Sequence, residues 1–321
     1  MSQEIYDTIV IGGGPAGAAA AVYVARKKMK SLMIIEDFGG QSVVSSGIQN
    51  WIGEEIITGV ELAEKLEKQV RAQEGMEIKM PEKVTGVTER ADCTFEVSTN
   101  KGSIYRTKTL IVASGARRRR LNVSGEAKFE GRGVAFCSTC DALFFKDLDV
   151  AVVGSGNAAL ETVIDLMAYA KKIYLLIRGN EVKGDPVTQE RVMRSPQVNI
   201  IRNVVAQEVL GEKMVTGIQY KNRKSGEIGT LAVDGVFVEV GSVPNSEFVK
   251  TLVETNDAGE IIVNHQTAQT SKTGIFAAGD VTRDPFKQNN IAAGDGVRAA
   301  LSAYNYLLNI QKYSPCAEKE E

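Results

Sequence analysis

Two apolar runs far apart in the chain stop at glycines in the same way. Thr8-Ile9-Val10-Ile11 leads into Gly12-Gly13-Gly14-Pro15-Ala16-Gly17 and then a helical pattern over 18–28. Val150-Ala151-Val152-Val153 leads into Gly154-Ser155-Gly156-Asn157-Ala158-Ala159 and a helix-like run over 160–169, repeating the unit 142 residues later. Strand, glycine turn and helix in this order make a dinucleotide-binding βαβ unit. The glycines allow a tight turn and close backbone approach, while the helix start offers free N–H groups and a positive dipole to a pyrophosphate. One such motif is weak testimony; two, each in its required setting, are not accidental glycine-rich turns.

Further pieces recur in parallel. Thr109-Leu110-Ile111-Val112-Ala113-Ser114-Gly115 reads as a buried strand closing the first half, and Gly235-Val236-Phe237-Val238-Glu239-Val240-Gly241 holds the matching place in the second. Thr273-Gly274-Ile275-Phe276-Ala277-Ala278-Gly279-Asp280 is another apolar strand, before a helical pattern over 292–308 that returns the chain to its first domain. The expected fold class is therefore α/β, with two Rossmann-like (three-layer ββα) dinucleotide-binding domains, the second inserted in the first. Residues 1–116 and 246–321 form one domain and 117–245 the other, with hinges at 115–120 and 241–245. Arg117 to Arg120 read as a solvated linker face.

Length agrees, since 321 residues exceed one typical core and suit two domains. A net charge of -2 gives no general attraction to nucleic acid or anionic membrane. The start, Met1-Ser2-Gln3-Glu4-Ile5-Tyr6-Asp7, lacks a basic n-region and a cleavable apolar region, and no apolar run approaches the ~18 residues of a span, so a cytoplasmic protein is expected. In a reducing compartment a close cysteine pair is catalytic or metal-binding sooner than structural. Of four cysteines, Cys93 and Cys316 stand apart while Cys137 and Cys140 form a Cys-x-x-Cys. Zinc needs two further ligands, yet there is one histidine, His265, and no second such motif, which leaves a redox pair. His265 itself reads as a polar strand-end residue.

The nucleotides differ between the units. Nineteen residues after Gly17 stands Glu36, at the end of Ser31-Leu32-Met33-Ile34-Ile35, where a carboxylate accepts from ribose hydroxyls of FAD or NAD. The same count from Ala159 lands on Arg178, with Lys183 five residues on. A guanidinium there suits a 2′-phosphate and favours NADPH, with NADH as the other possibility.

Over nearly its full length the chain resembles the low-molecular-weight thioredoxin reductases and the reductase portion of alkyl hydroperoxide reductase flavoproteins. The resemblance rests on Gly12 to Gly17, Gly39-Gly40-Gln41, Ala113-Ser114-Gly115, Cys137-Ser138-Thr139-Cys140-Asp141, Gly154 to Ala159, Ala277-Ala278-Gly279-Asp280, and Lys287-Gln288 before Ala292-Ala293-Gly294-Asp295-Gly296. It implies FAD in the first domain, NAD(P)H in the inserted one, a homodimer, a thioredoxin or glutaredoxin-like protein as substrate, and rotation of the inserted domain during turnover. It places Gly12, Gly14, Pro15, Ala16, Gly17, Glu36, Gly40, Gln41, Asn50, Ala113, Ser114, Gly115 and Gly279 at FAD, Asp280 on its ribityl chain and Lys287 and Gln288 near its ring. Gly154, Gly156, Asn157, Ala158, Arg178, Lys183 and Gly241 fall to the nicotinamide nucleotide.

The same resemblance implies a three-step reaction: hydride from NAD(P)H to FAD, reduction of the Cys137–Cys140 disulfide, and exchange with a partner disulfide. Cys140 faces the flavin, Cys137 attacks the partner and Asp141 handles the proton. A Cys-x-x-Cys near a helix start lowers a thiol pKa from ~8.5 toward ~7. Departures are specific: NADPH-dependent thioredoxin reductases usually carry His-Arg-Arg where this chain has Ile177-Arg178-Gly179, and the peroxide-reductase flavoproteins carry an acid at Ile177. Glu181-Val182-Lys183-Gly184-Asp185 and Lys287-Gln288 look nearer that second branch, whose thioredoxin-like N-terminal extension is missing, so a separate acceptor is expected. Ala142 stands where the family has glycine and is tolerated if its φ is negative. Two other readings are a reductase fed by ferredoxin or another non-nicotinamide donor, against which the intact Gly154 turn argues, and a flavoprotein sensing module, which leaves the cysteines without a use.

Overall fold

The computed structural model describes residues 4–45 and 47–312, so Met1-Ser2-Gln3 and Cys316 lie outside the described residues. The chain divides into two compact units, one of Met1–Val43, Trp51–Arg117 and Val243–Glu321, the other of Val44–Asn50 and Arg118–Ser242.

The first unit opens with β1 (Ile5–Ile11), α1 (Pro15–Arg26), β2 (Ser31–Ile34), α2 (Gly59–Arg71) and β3 (Met76–Lys79), followed by β4 (Val84–Glu89), β5 (Phe95–Thr99) and β6 (Ile104–Val112). Strands β3-β2-β1-β6 are parallel neighbours in that order. A helix must cover each crossover of such a sheet, which buries β2 completely and most of β1. Helix α2 begins in a capping box: Thr58 Oγ1 accepts from Glu61 N at 3.2 Å, and the Glu61 carboxylate accepts from Thr58 N at 2.9 Å.

The chain leaves the first unit through β7 (Ala116–Arg118). The second unit contains β8 (Val134–Ala135), α3 (Ser138–Asp141), β9 (Asp149–Val153), α4 (Asn157–Leu166), β10 (Lys172–Leu176), α5 (Pro186–Arg194) and β11 (Val198–Ile201). An antiparallel sheet of β12 (Val204–Gly211), β13 (Val215–Asn222) and β14 (Ile228–Leu231) follows, then β15 (Gly235–Val238). The parallel sheet runs β11-β10-β9-β15-β8. Alternate residues of its central strands supply two cores: Val150, Val152 and Phe237 pack into one, Ala151, Val153, Val236 and Val238 into the other. Burial on both faces is why these strands read as unbroken apolar runs rather than alternating ones. Strand β16 (Ser242–Pro244) pairs with β7 where the chain returns, β17 (Ile275–Ala277) joins the distal half of β6, and α6 (Asn289–Lys312) closes the first unit.

The α/β class with two dinucleotide-binding domains is as expected, and the repeat extends to topology: β9, β10, β11 and β15 hold the places of β1, β2, β3 and β6. The helices of both glycine units begin earlier than the periodicity indicated, at Pro15 and Asn157, because the last positions of the two motifs, Gly17 and Ala159, already lie in the first helical turn. The second ends at Leu166, before the expected 169. No helix among the described residues is long and apolar enough to cross a membrane.

Candidate functional site

The cysteines lie where β8 hands the chain to α3. Cys137 is extended (φ −150°) at the N-cap of this single turn, Cys140 lies within it, and the two are joined in a disulfide with Cα atoms 5.4 Å apart, inside the usual window. The pair is held from behind: Asp141 N donates to Cys137 O at 3.0 Å, and Phe136 is buried in a core. Ala142 adopts φ −56°, the negative value that lets alanine replace glycine without strain.

A chain of polar groups leads away from the pair. The Ser138 hydroxyl donates to Asp165 Oδ2 at 2.7 Å, and Thr162 Oγ1 stands 3.3 Å from Ser138 Oγ and 3.2 Å from Glu239 Oε1. Thr162 owns one proton, so an ionised Glu239 accepts it, whereas a protonated Glu239 donates to Thr162 and frees that proton for Ser138. Burial pushes the Glu239 carboxyl up to about 7, against the pull of Arg118 and the Thr162 hydrogen bond. Burial likewise pushes Asp141 up to about 6, again opposed by Arg118. Two half-buried acids thus draw on one guanidinium.

This revises the reading of Arg117 to Arg120 as a solvated face. A strand alternates its side chains: Ala116 is buried and Arg118 half-buried, while Arg117, Arg119 and Arg120 are exposed. Arg117 pairs with Glu247 at 2.6 Å, and Arg120 pairs with Glu130 at 2.6 Å and lies over the Phe136 ring.

At the glycine turn of the second unit, a Cβ on Gly154 (φ 157°) would stand 2.3 Å from Glu239 O, so strand and turn meet backbone to backbone. Gly156 caps α4 with no side-chain acceptor, and a Cβ there would have nothing within 4 Å. The first-turn N–H groups therefore have no side-chain cap, which suits a pyrophosphate. Asn157 and Ala158 are exposed in that turn. The loop carrying Lys183 folds against it: Lys183 N donates to Ser155 O at 2.7 Å and Asp185 N to Asn157 Oδ1 at 2.8 Å. Arg178 is exposed just beyond β10. Gly241 follows two residues after Glu239, at φ 101°, its carbonyl accepting from Arg119 N at 2.9 Å.

In the first unit Gly12 (φ 114°) lies against Ala113, whose carbonyl a Cβ would meet at 2.2 Å, and a Cβ on Gly17 would meet Gly12 O at 1.8 Å. Gly14 caps α1 without a side-chain acceptor, Pro15 and Ala16 open the helix buried, and Gly40 Cα is the one atom near a Cβ on Gly14, at 3.9 Å. Uncapped N–H groups beside an open approach fit a dinucleotide phosphate. Gln41 Nε2 donates to Asp280 Oδ2 at 3.2 Å, bringing together two residues assigned to FAD, and Gly279 packs on Ala16. Glu36 lies two residues past β2, exposed, and pairs with Lys83 at 3.0 Å.

The remaining residues expected at FAD are held as follows. The Lys287 ammonium donates to Thr282 O and to Asp280 O at 3.3 Å and pairs with Glu260 at 3.0 Å, so it fixes the Asp280 segment. Gln288 precedes α6, its carbonyl accepting from Ala292 N at 2.9 Å. Ser114 and Gly115 are held by Asn245: Ser114 Oγ donates to Asn245 O at 2.7 Å, Asn245 Nδ2 to Ser114 O at 2.9 Å and Asn245 N to Gly115 O at 2.9 Å. Asn50 belongs to the segment Val44–Asn50, which groups with the second unit rather than with Gly40, Gln41 and Asp280. Arg118, Glu239 and Asn245 went unassigned in the sequence; the alternation of β7 and the lone acid in the apolar β15 run were the available signals for the first two.

The family model described as "Pyridine nucleotide-disulphide oxidoreductase" matches residues 6–296. The chain is 40% identical over 310 residues to the F component of the Pseudomonas putida alkyl hydroperoxide reductase, covering 96% of this chain and 59% of that protein. It is 40% identical over 308 residues to a Bacillus subtilis protein named NADH dehydrogenase, covering 95% of this chain and 59% of that one. The chain thus spans about three-fifths of the length of these curated relatives. Among solved structures, thioredoxin reductase from Streptococcus pyogenes superposes with a TM-score of 0.88 at 35% identity, covering 96% of this chain and all of that one.

Proposed function

The chain belongs to the pyridine nucleotide-disulphide oxidoreductase family, and from that premise we propose that it is an FAD-dependent thioredoxin-disulfide reductase. It takes electrons from NADPH in preference to NADH and delivers them, by way of Cys137 and Cys140, to a thioredoxin or glutaredoxin-like protein disulfide. The observation that carries this reading is the disulfide of Cys137 and Cys140 one residue before a half-buried acid, in the same unit as an uncapped glycine turn.

The domain proposed for 1–116 and 246–321 holds FAD through Gly12, Gly14, Gly17, Glu36, Gly40, Gln41 and Asp280; the inserted domain, 117–245, holds the nicotinamide nucleotide through Gly154, Gly156, Asn157, Ala158, Arg178 and Lys183. When bound, the flavin supplies two-electron transfer between a nicotinamide and a disulfide. The side chains of this protein supply the rest. Cys137 attacks the partner's disulfide as a thiolate, forming a mixed disulfide that Cys140 then displaces, so that two thiols are oxidised as the partner gains two. Asp141, held near neutrality by burial, takes and returns the thiol proton in the physiological range. The enzyme works as a cytoplasmic homodimer.

The peroxide-reductase relatives favour a second reading of the same chemistry, in which the reduced partner serves alkyl hydroperoxide reduction. Stopped-flow mixing of the oxidised holoenzyme with NADPH and separately with NADH tests the main reading. Rapid loss of visible flavin absorbance, faster with NADPH, is expected. An unchanged flavin with either nucleotide refutes it.

A further inference from the structure

The segment that follows β10 and the β13–β14 turn both carry positive charge. Arg178 follows the strand and Lys183 lies in the next loop. Arg223 reaches in from the turn between β13 and β14, its guanidinium Nη1 donating to the Arg178 carbonyl at 3.3 Å. The turn is built to hold it there. Arg223 N donates to Asn203 O at 2.7 Å, Asn203 N donates to Gly179 O at 2.9 Å, and Asn203 adopts a left-handed φ of 58° that turns the chain between these two bonds. On the far side of Arg223, Asn222 Oδ1 accepts from Lys224 N at 2.8 Å and Ser225 N at 3.1 Å. The backbone of residues 178–179 is thereby tied to a hairpin more than forty positions away.

Gathering like charges costs free energy unless an anion answers them. Among the described residues none of Arg178, Lys183 and Arg223 has a carboxylate within ion-pair distance, although sixteen ion pairs form elsewhere. The corresponding strand end in the first unit is the reverse case: Glu36 stands there, answered by Lys83 at 3.0 Å. The two units share strand order and glycine turn, so the strand-two terminus is the ribose end of each nucleotide. One offers an acceptor for hydroxyls. The other offers exposed donors only.

We propose that Arg223 is a specificity-determining residue that, with Arg178, clamps the 2′-phosphate of a nicotinamide nucleotide, supplying from the β13–β14 hairpin a second guanidinium that the segment after β10 lacks. The inference rests on the reading that the inserted unit binds that nucleotide. A fork of guanidinium donors matches phosphate oxygens and is preorganised by the Arg178 carbonyl contact. Each charge-assisted hydrogen bond contributes enough to change affinity by about ten- to a hundredfold.

The test is calorimetric titration of the oxidised holoenzyme with 2′,5′-ADP and with 5′-AMP, beside the variants Arg223→Ala and Arg223→Lys. The wild type is expected to bind 2′,5′-ADP at least about tenfold more tightly than 5′-AMP. Arg223→Ala removes most of that preference while leaving 5′-AMP affinity unchanged, and Arg223→Lys restores part of it. Equal wild-type affinity for the two probes overturns the proposal while the parent reading survives, provided NADH bleaches the flavin. Equal weakening of both probes by Arg223→Ala also overturns it, since Arg223 then only props the strand end. Binding of neither probe, with no flavin bleaching by either dinucleotide, overturns the parent reading and the clamp together.

Discussion

Two alanine substitutions separate the two nucleotide sites. A Cβ at position 17 would stand 1.8 Å from Gly12 O, and one at position 154 would stand 2.3 Å from Glu239 O. Ordinary contacts of carbon with such atoms begin near ~3.5 Å, so in each case backbone must part by more than about 1 Å. Neither neighbour is a flexible side chain, and overpacking of this kind costs about 1–3 kcal/mol in stability. The larger effect falls on the ligand, because the displaced turn carries the N–H groups aimed at phosphate. Losing one charge-assisted bond weakens binding on the order of ten- to a hundredfold.

Gly17→Ala is therefore expected to purify with little FAD yet to keep wild-type affinity for 2′,5′-ADP, which also reports that the inserted unit is folded. Gly154→Ala is expected to keep its FAD and to need at least about tenfold more NADPH for half-maximal flavin reduction. Bound flavin per chain from visible absorbance, and the NADPH dependence of the stopped-flow bleaching rate, are the readouts. The opposite pattern, or full retention of both ligands by both variants, refutes the assignment of nucleotides to units.

Three further outcomes follow from the inserted unit. Asp141 has a folded pKa of about 6 against a usual 3.8, so the native state holds an extra proton in that interval and stability falls as pH rises through it. Asp141→Asn should match the wild type near pH ~4 and exceed it by up to about 3 kcal/mol above pH ~7 in urea unfolding of the oxidised holoenzyme, while disulfide exchange slows; a pH-independent difference contradicts this. Glu239→Gln should give a similar gain, of about 3 kcal/mol, developing between the usual 4.5 and about 7, and because Arg118 serves both acids the double variant should gain less than the sum. Cys140→Ser should leave flavin reduction by the nicotinamide intact and abolish reduction of a thioredoxin disulfide; retained disulfide reduction refutes the assignment of Cys140.

The sequence revealed the parallel sheets because strands buried on both faces carry no competing polar positions. It also revealed the glycine turns, whose backbones approach other backbones closely enough to admit only hydrogen. The antiparallel strands β4, β5 and β12 to β14 were not read, since their mixed polar surfaces and short spans carry a weaker period. Lys287 entered through the resemblance, while its contacts to Thr282, Asp280 and Glu260 are ones the sequence does not announce. Asn245 and Arg223 were invisible for a related reason: their partners come from segments brought near only by the fold, and nothing in the local spacing announces them. Arg178 was found by counting from a turn, and its companion at position 223 lay beyond any such count.

The central claim is that Cys137 and Cys140 form a redox couple in electronic contact with the flavin. It is tested most directly by anaerobic reductive titration of the holoenzyme with dithionite. Wild type is predicted to take up about four electrons per chain, two for the flavin and two for the disulfide, with two thiols becoming reactive to a thiol reagent, whereas Cys140→Ser takes up about two. A wild-type endpoint of about two electrons, with no thiols released, would contradict it.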